Sequence, residues 1–335
     1  MSQGPMNARL IYKFFEAANM QRWNDHIRPV ELTELDKQSH KMVIAYVLAR
    51  FEETEKGTRI DWTRIIEGGI FEFLHRIFLT DLKPPVYHRM QKEKGSELNE
   101  YVFRELVSEV PDIDLDLLER FKAYHTHKDE SIERRVLRAA HYLATNWEFR
   151  LVFNANPTML GIEDTKRNIE MQIEDHYDLI GVQRIMLAKK SYGFIEFCGQ
   201  LRYQQRWARA PRIPRTSVLG HMLMVAIMSY LCSLRIGAPP QRTVNNFYAA
   251  GLFMACACGG DEATLMQLSR APDYFADFSK THEASLAAFA RRPWTHAAVL
   301  ADGYAAGLAE EGALAFKEIC RLPSNHYHLL DLRHG

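Results

Sequence analysis

The chain has 335 residues, 47% of them hydrophobic and 25% charged, the composition of a soluble globular protein of two or three domains. That excludes a largely disordered chain. Lys plus Arg equals Asp plus Glu at 42 each, so no net positive field awaits a nucleic-acid backbone, and a nucleic-acid polymer is not an expected partner.

The N-terminus lacks a basic stretch followed by an apolar run and a small-residue cleavage site, which predicts a cytoplasmic protein. Leu10, Ile11, Phe14, Phe15 and Ala18 then recur at helical spacing ahead of Arg22-Trp23, and Val43, Ile44, Val47, Leu48 and Phe51 do so after His40. Further helical stretches are predicted over Glu100 to Val107, Leu115 to Ala123, Ile132 to Phe149 and Ile162 to Lys189, with turns at Pro84-Pro85 and Pro111-Asp112. The polar run from His125 and His127 to Asp129 and Glu130 is expected to be an exposed loop. Thr216 to Leu234 carries no formal charge and approaches the length of a membrane span. Its Gly220, His221 and Ser229 and its charged flanks make a buried core helix the expectation, with no membrane partner. The five cysteines, Cys198, Cys232, Cys256, Cys258 and Cys320, lack paired spacing and read as reduced, buried thiols. No alternating strand pattern appears until near the end.

Internal repetition organises the first three quarters. Gln21-Arg22-Trp23 leads through Arg28-Pro29 to His40, an amphipathic helix and Gly69-Ile70-Phe71. Gln205-Arg206-Trp207 leads through Arg212 and Pro214 to His221, an apolar helix and Gly251-Leu252-Phe253. Order and spacing nearly match, which implies two copies of one helical unit.

An Arg-Trp, a His opening a helix, and a Gly-apolar-Phe entering another helix resemble the HD superfamily, within it the tandem, 5'-deoxynucleotidase-like branch, over residues 1–253. The resemblance implies a mainly α fold of tandem HD-like bundles: a first copy over 1–190 and an interrupted second copy over 191–253. It also implies hydrolysis of nucleotide phosphate esters by a divalent metal (Mn, Co or Mg) held by a His, a His-Asp pair and a later Asp. Carried across, the first His falls on His40, the pair on Glu72-Phe73 and the last Asp on His141. In the second copy the His falls on His221 and the pair on Met254-Ala255. The candidate metal set is therefore His40, Glu72, His141 and His221, in degenerate form. Phe73 and Ala255 remove oxygen donors, so the expectation leans toward no bound metal. Arg22, Trp23, Arg206 and Trp207 are candidate substrate residues, an indole stacking on a base and a guanidinium gripping phosphate. The alternative is that each Trp caps the core while each Arg pairs with a carboxylate.

From about 254 to 335 the chain is similar to the sugar isomerase (SIS) domain, on the run from Leu300 through Gly303, Ala315, Glu318, His326 and Tyr327 to His334-Gly335. The resemblance implies a short α/β fragment in which Glu318 and His334 take the acid-base positions of sugar-phosphate isomerisation. Ala315 replaces the family's helix lysine, and the Ser/Thr-rich phosphate loop is missing, so the fragment is expected to be non-catalytic.

Three functions follow as expectations. The first is a phosphohydrolase-like protein, weakly active or inactive on nucleotides, for which enzyme status stays open. The others are a non-catalytic ligand- or protein-binding scaffold and a sugar-phosphate-binding tail. A nucleotide is the expected ligand, and a homo-oligomer stays open.

Overall fold

A computed structural model describes residues 6–79, 84–127, 129–187, 189–205, 215–236, 277, 280–285, 287–288, 291, 293–301 and 323–328. The protein is mainly helical and divides into two compact bodies, Met1–Ser269 and Arg270–Gly335. In the first lie α1 (Ala8–Glu16), α2 (Glu34–Lys56), α3 (Trp62–Phe78), α4 (Pro84–Glu109), α5 (Leu115–Thr126) and α6 (Ile132–Ala155). They are followed by α7 (Ile162–Glu174), α8 (Ile180–Leu187), α9 (Lys189–Gln200), a 3₁₀ turn (Leu201–Tyr203) and α10 (Val218–Ile236).

Side-chain caps set where these helices begin. Asn7, Thr33, Asp61, Asp114 and Ser131 each accept a backbone N–H of the first turn, satisfying donors the helix itself leaves open. Glu34 and Asp36 add negative charge at the positive end of α2, and Gly57 closes that helix at φ 67°, a left-handed position glycine adopts at little cost. The helix expected over Ile162 to Lys189 breaks at the turns around His176 to Leu179. The Pro84-Pro85 turn signal instead opens α4, because a proline in the first helical turn gives up an N–H that has no partner there.

Helix α2 lies at the centre, packed against α3, α6, α8, α9 and α10. One core joins α1, α3, α4, α5 and α10 around Phe14, Phe73, Leu106, Phe121 and Ile227, and another joins α2, α6, α7 and α8 around Ile44, Leu48, Val136, Ala140 and Val182. Two glycines let α2 be approached closely. A Cβ on Gly69 would stand 2.2 Å from Met42 Sδ, and one on Gly181 2.8 Å from the Leu48 Cα. Helix α10 is long and apolar enough to cross a membrane by length and composition, yet its window is 61% buried, with Leu223, Met224, Ile227 and Tyr230 in the first core. Its place is that of a core helix, and no membrane span is indicated. Cys198 and Cys232 are buried and in no disulfide.

In the second body, β1 (Ala297–Ala301) and β2 (Ser324–His328) pair in parallel, Ala297 against Ser324 through Ala301 against His328. Parallel neighbours require a crossover, and the segment between them lies outside the described residues, as do Ala315, Glu318 and His334.

Candidate functional site

Glu34, Lys37, Gln38 and Lys41 recur one turn apart on α2 and share a face. Each meets a partner on another segment. Arg22 Nη1 donates to Glu34 Oε2 (2.6 Å), Lys37 Nζ donates to His141 Nδ1 (2.6 Å), and Gln38 Nε2 donates to the Gly69 carbonyl (2.8 Å). Lys41 Nζ donates to Glu72 Oε2, whose other oxygen accepts from the Tyr124 hydroxyl at 2.7 Å. Lys37 and Lys41 are each 1% exposed, whereas the Glu72 side chain is 30% exposed and His141 half-buried. The two amines are therefore sealed in the interior, and the carboxylate and imidazole that meet them are partly exposed.

Burial pushes the Lys37 amine well below the ordinary lysine range, against the opposing pull of Glu34. Burial first, then the charges of Lys37, Lys41, Arg22 and Arg76, hold His141 well below the usual imidazole range. His141 is thus neutral, and accepting at Nδ1 places its proton on Nε2. Burial raises the Glu72 carboxyl, but Lys41 and the Tyr124 hydroxyl outweigh it and hold the group below its ordinary value.

His40 faces elsewhere. Its Nε2 donates to the Ile195 carbonyl at 3.0 Å, its ring meets Trp147 edge-on at 5.3 Å, and its buried Nδ1 has no hydrogen-bond partner. Burial, then the charge of Arg202, lowers its pKa to about 4. Phe73, at the position where the HD resemblance puts an aspartate, stacks on Phe14 in the core at 5.6 Å. Among the described residues, no three His, Cys, Asp or Glu side chains converge as a metal-holding group. Of the expected set of His40, Glu72 and His141, Glu72 pairs with Lys41 and His141 with Lys37, whereas His40 bonds the Ile195 carbonyl on α9. A divalent cation needs converging lone pairs. Lys41 already occupies the Glu72 carboxylate and Lys37 the Nδ1 of His141, so these residues do not fit the metal the resemblance implies.

The two similar stretches of sequence also share a local geometry, in a register other than the expected one. Gln21 bridges Thr33, and Gln205 bridges Ser217 across the same sequence separation. Thr33 Oγ1 accepts from the N–H of Asp36, and Ser217 Oγ from that of Gly220. In this register His221, half-buried in the first turn of α10, corresponds to Lys37 rather than to His40.

Arg22 and Trp23 are anchored on one buried carboxylate. Arg22 Nε (2.7 Å) and Trp23 Nε1 (3.0 Å) both donate to Oε2 of the fully buried Glu148, and Arg202 Nη1 donates to its Oε1 (2.9 Å). Trp23 sits at φ 55°, an unusual conformation for a bulky residue, and packs against Phe149. Burial raises the Glu148 carboxyl, but Arg22 and Arg202 outweigh it and bring the pKa to about 2. Arg206, Trp207, Met254 and Ala255 lie outside the described residues.

Sequence reasoning missed Lys37, Lys41, Glu148 and Arg202. A signal for the lysines exists: Lys37, Lys41, Ile44 and Leu48 form one continuous stripe, so the lysines extend an apolar face. His125, expected in an exposed loop, instead ends α5 half-buried, its ring stacked on His75 at 4.2 Å and its Nε2 on the Phe71 carbonyl.

Compared with known families, residues 198–253 match the HD domain. No curated protein and no solved structure matches the chain. An HD-superfamily domain is therefore supported over the segment that holds the 3₁₀ turn and α10, within a protein whose described residues are mainly helical.

Proposed function

We propose that this protein is an HD-type tandem helical scaffold whose first copy works without a divalent cation and does not hydrolyse nucleotides through one. The observation that carries this reading is the pair of buried amines, Lys37 on His141 and Lys41 on Glu72. Lys41 occupies the Glu72 carboxylate that would have bound a cation, and Lys37 occupies the Nδ1 of His141. Phe73 supports the same reading, since its ring fills core space with no oxygen to offer.

A second reading, metal-dependent phosphohydrolysis, draws on the HD match over 198–253 and on His221. In that copy the resemblance places Met254 and Ala255 at the paired ligand positions, which leaves it short of donors.

Metal analysis of the purified full chain, together with phosphate release from deoxynucleoside monophosphates in added cobalt or manganese, separates the two. The scaffold reading expects no stoichiometric metal and no turnover above the blank. A stoichiometric ion lost in His141→Ala or His221→Ala, with turnover lost alongside, would overturn it.

A further inference from the structure

Helices α3, α4 and α5 meet at a stacked pair of imidazoles. His75 of α3 is buried, and its ring centroid lies 4.2 Å from that of His125 in the last turn of α5, with the planes 24° apart. His75 Nε2 donates to Asn99 Oδ1 of α4 (3.0 Å), Asn99 Nδ2 donates to the His125 carbonyl (3.0 Å), and His125 Nε2 donates to the Phe71 carbonyl of α3 (3.2 Å). Stack and bonds form a closed circuit through the three helices, and Phe121 and Tyr124 meet the His125 ring edge-on. A neutral imidazole has one N–H, and each ring gives it to a neutral acceptor. Burial holds His75 at about 4 against the pull of Asn99 and Glu72, with Arg76 adding to burial. Burial, then the charge of His75, holds His125 at about 3 against the Phe71 carbonyl and Glu72, with Arg134 adding to both. A proton on one ring thus opposes a proton on the other.

We propose that the His75–His125 pair is an acid-sensitive latch, in which protonation of either ring releases the last turn of α5 from α3 and α4 and withdraws the Tyr124 hydroxyl from Glu72. Helix α5 is the element that moves. A helix of 12 residues has little stability of its own, and the end of α5 is tied down by this circuit, by Arg134 on the Tyr124 carbonyl and by Tyr124 on Glu72. Both rings hold a proton less tightly in the latched form than in the released one, where they return toward the ordinary 6.5. Release therefore grows as pH falls below 6.5. Once the rings separate, their mutual repulsion is gone and both take up protons, so the pair acts as one switch.

The test pairs NMR titration of the histidine ring protons of the full chain with amide hydrogen exchange compared between helices at neutral and mildly acid pH, corrected for the intrinsic rate. Both rings are expected to titrate well below an ordinary histidine. From about pH 7 to about pH 5, protection of Leu115–Thr126 is expected to fall about tenfold or more relative to that of Ile132–Ala155. His75→Gln keeps a donor for Asn99 and removes one titrating ring. It is expected to cut that relative fall about threefold or more and to move the His125 titration upward by about half a pH unit. A midpoint near the ordinary 6.5 for either ring, equal loss of protection in the two helices, or a relative fall unchanged in His75→Gln overturns the latch. If that variant does not fold, the titration and exchange of the unaltered chain decide between the same outcomes.

Discussion

Helices α2 and α10 begin alike and are filled differently. Each follows a bridge between a glutamine and a hydroxyl residue, and each has that hydroxyl capping its first turn. Beyond the cap, α2 buries Glu34, Lys37, Gln38, His40 and Lys41, while α10 buries Leu219, Leu223, Met224, Ile227 and Tyr230. The apolar face needs only shape and area to be stable, about 1.5–3 kcal/mol for each large side chain buried. The polar face needs a specific partner for each residue, and these come from the chain before α2, α3, α6 and α9. A cap therefore dictates where a helix starts and is silent about what the helix is for.

The sharpest way to break the comparison is at Glu148, on which the entrance to α2 depends. Glu148→Ala leaves Arg22 and Arg202 without their shared buried counter-charge and is expected to cost about 3–5 kcal/mol, read as a lower urea midpoint. The same carboxylate sets an acid limit. Its folded pKa of about 2 lies below the ordinary 4.5, so its contribution is complete above pH 4.5 and is lost as pH falls toward 2. His75 and His40, both held near 4 by burial, act earlier. Their contribution is complete above the ordinary 6.5 and fades as pH falls from there toward 4, so unfolding measured from pH 7 downward is expected to show stability declining ahead of the loss from Glu148.

Smaller changes probe where the two helices touch. A Cβ on Gly220 would lie 2.9 Å from Asp36 Oδ1 and 3.0 Å from Leu35 Cδ2. Gly220→Ala is therefore expected to cost about 1–3 kcal/mol through overpacking, seen as a lower melting temperature. Ser217 donates its hydroxyl to Asp36 across the same contact at 2.5 Å, and Asp36 is already raised by burial. Ser217→Ala is expected to cost about 1–2 kcal/mol, with the loss shrinking at acid pH as Asp36 takes up a proton. The mildest change is on the apolar side: Tyr230→Phe removes the hydroxyl bond to Glu67 (2.8 Å) at about 1 kcal/mol by denaturant unfolding. A smaller loss from Gly220→Ala than from Tyr230→Phe would show that the α2–α10 contact is looser than described.

Much of the helical order was legible because helices announce themselves locally. Apolar residues at 3.6-residue spacing, cap residues and turn prolines fixed the existence of α1, α2, α5 and α6 and the core role of α10, each from a window of one or two dozen residues. The break between α7 and α8 was less legible, since it depends on how the turn at His176 to Leu179 packs. The paired glutamines and tryptophans also told of a repeat, but not of its register. His40 and His221 look equivalent as letters, and only the bridges and caps show that Lys37 is the residue at the place of His221.

The sequence alone determined that the chain is mainly helical and without the paired His-Asp of the family it resembles, because composition, periodicity and residue identity are properties of the string. The tertiary structure alone decided that His40 turns toward α9, that Trp23 and Arg22 are spent on Glu148, and that buried lysines occupy His141 and Glu72. Those are properties of side-chain direction and of partners far apart in the chain. No local pattern records whether a lysine on an amphipathic helix reaches water or is sealed against an imidazole contributed by another helix.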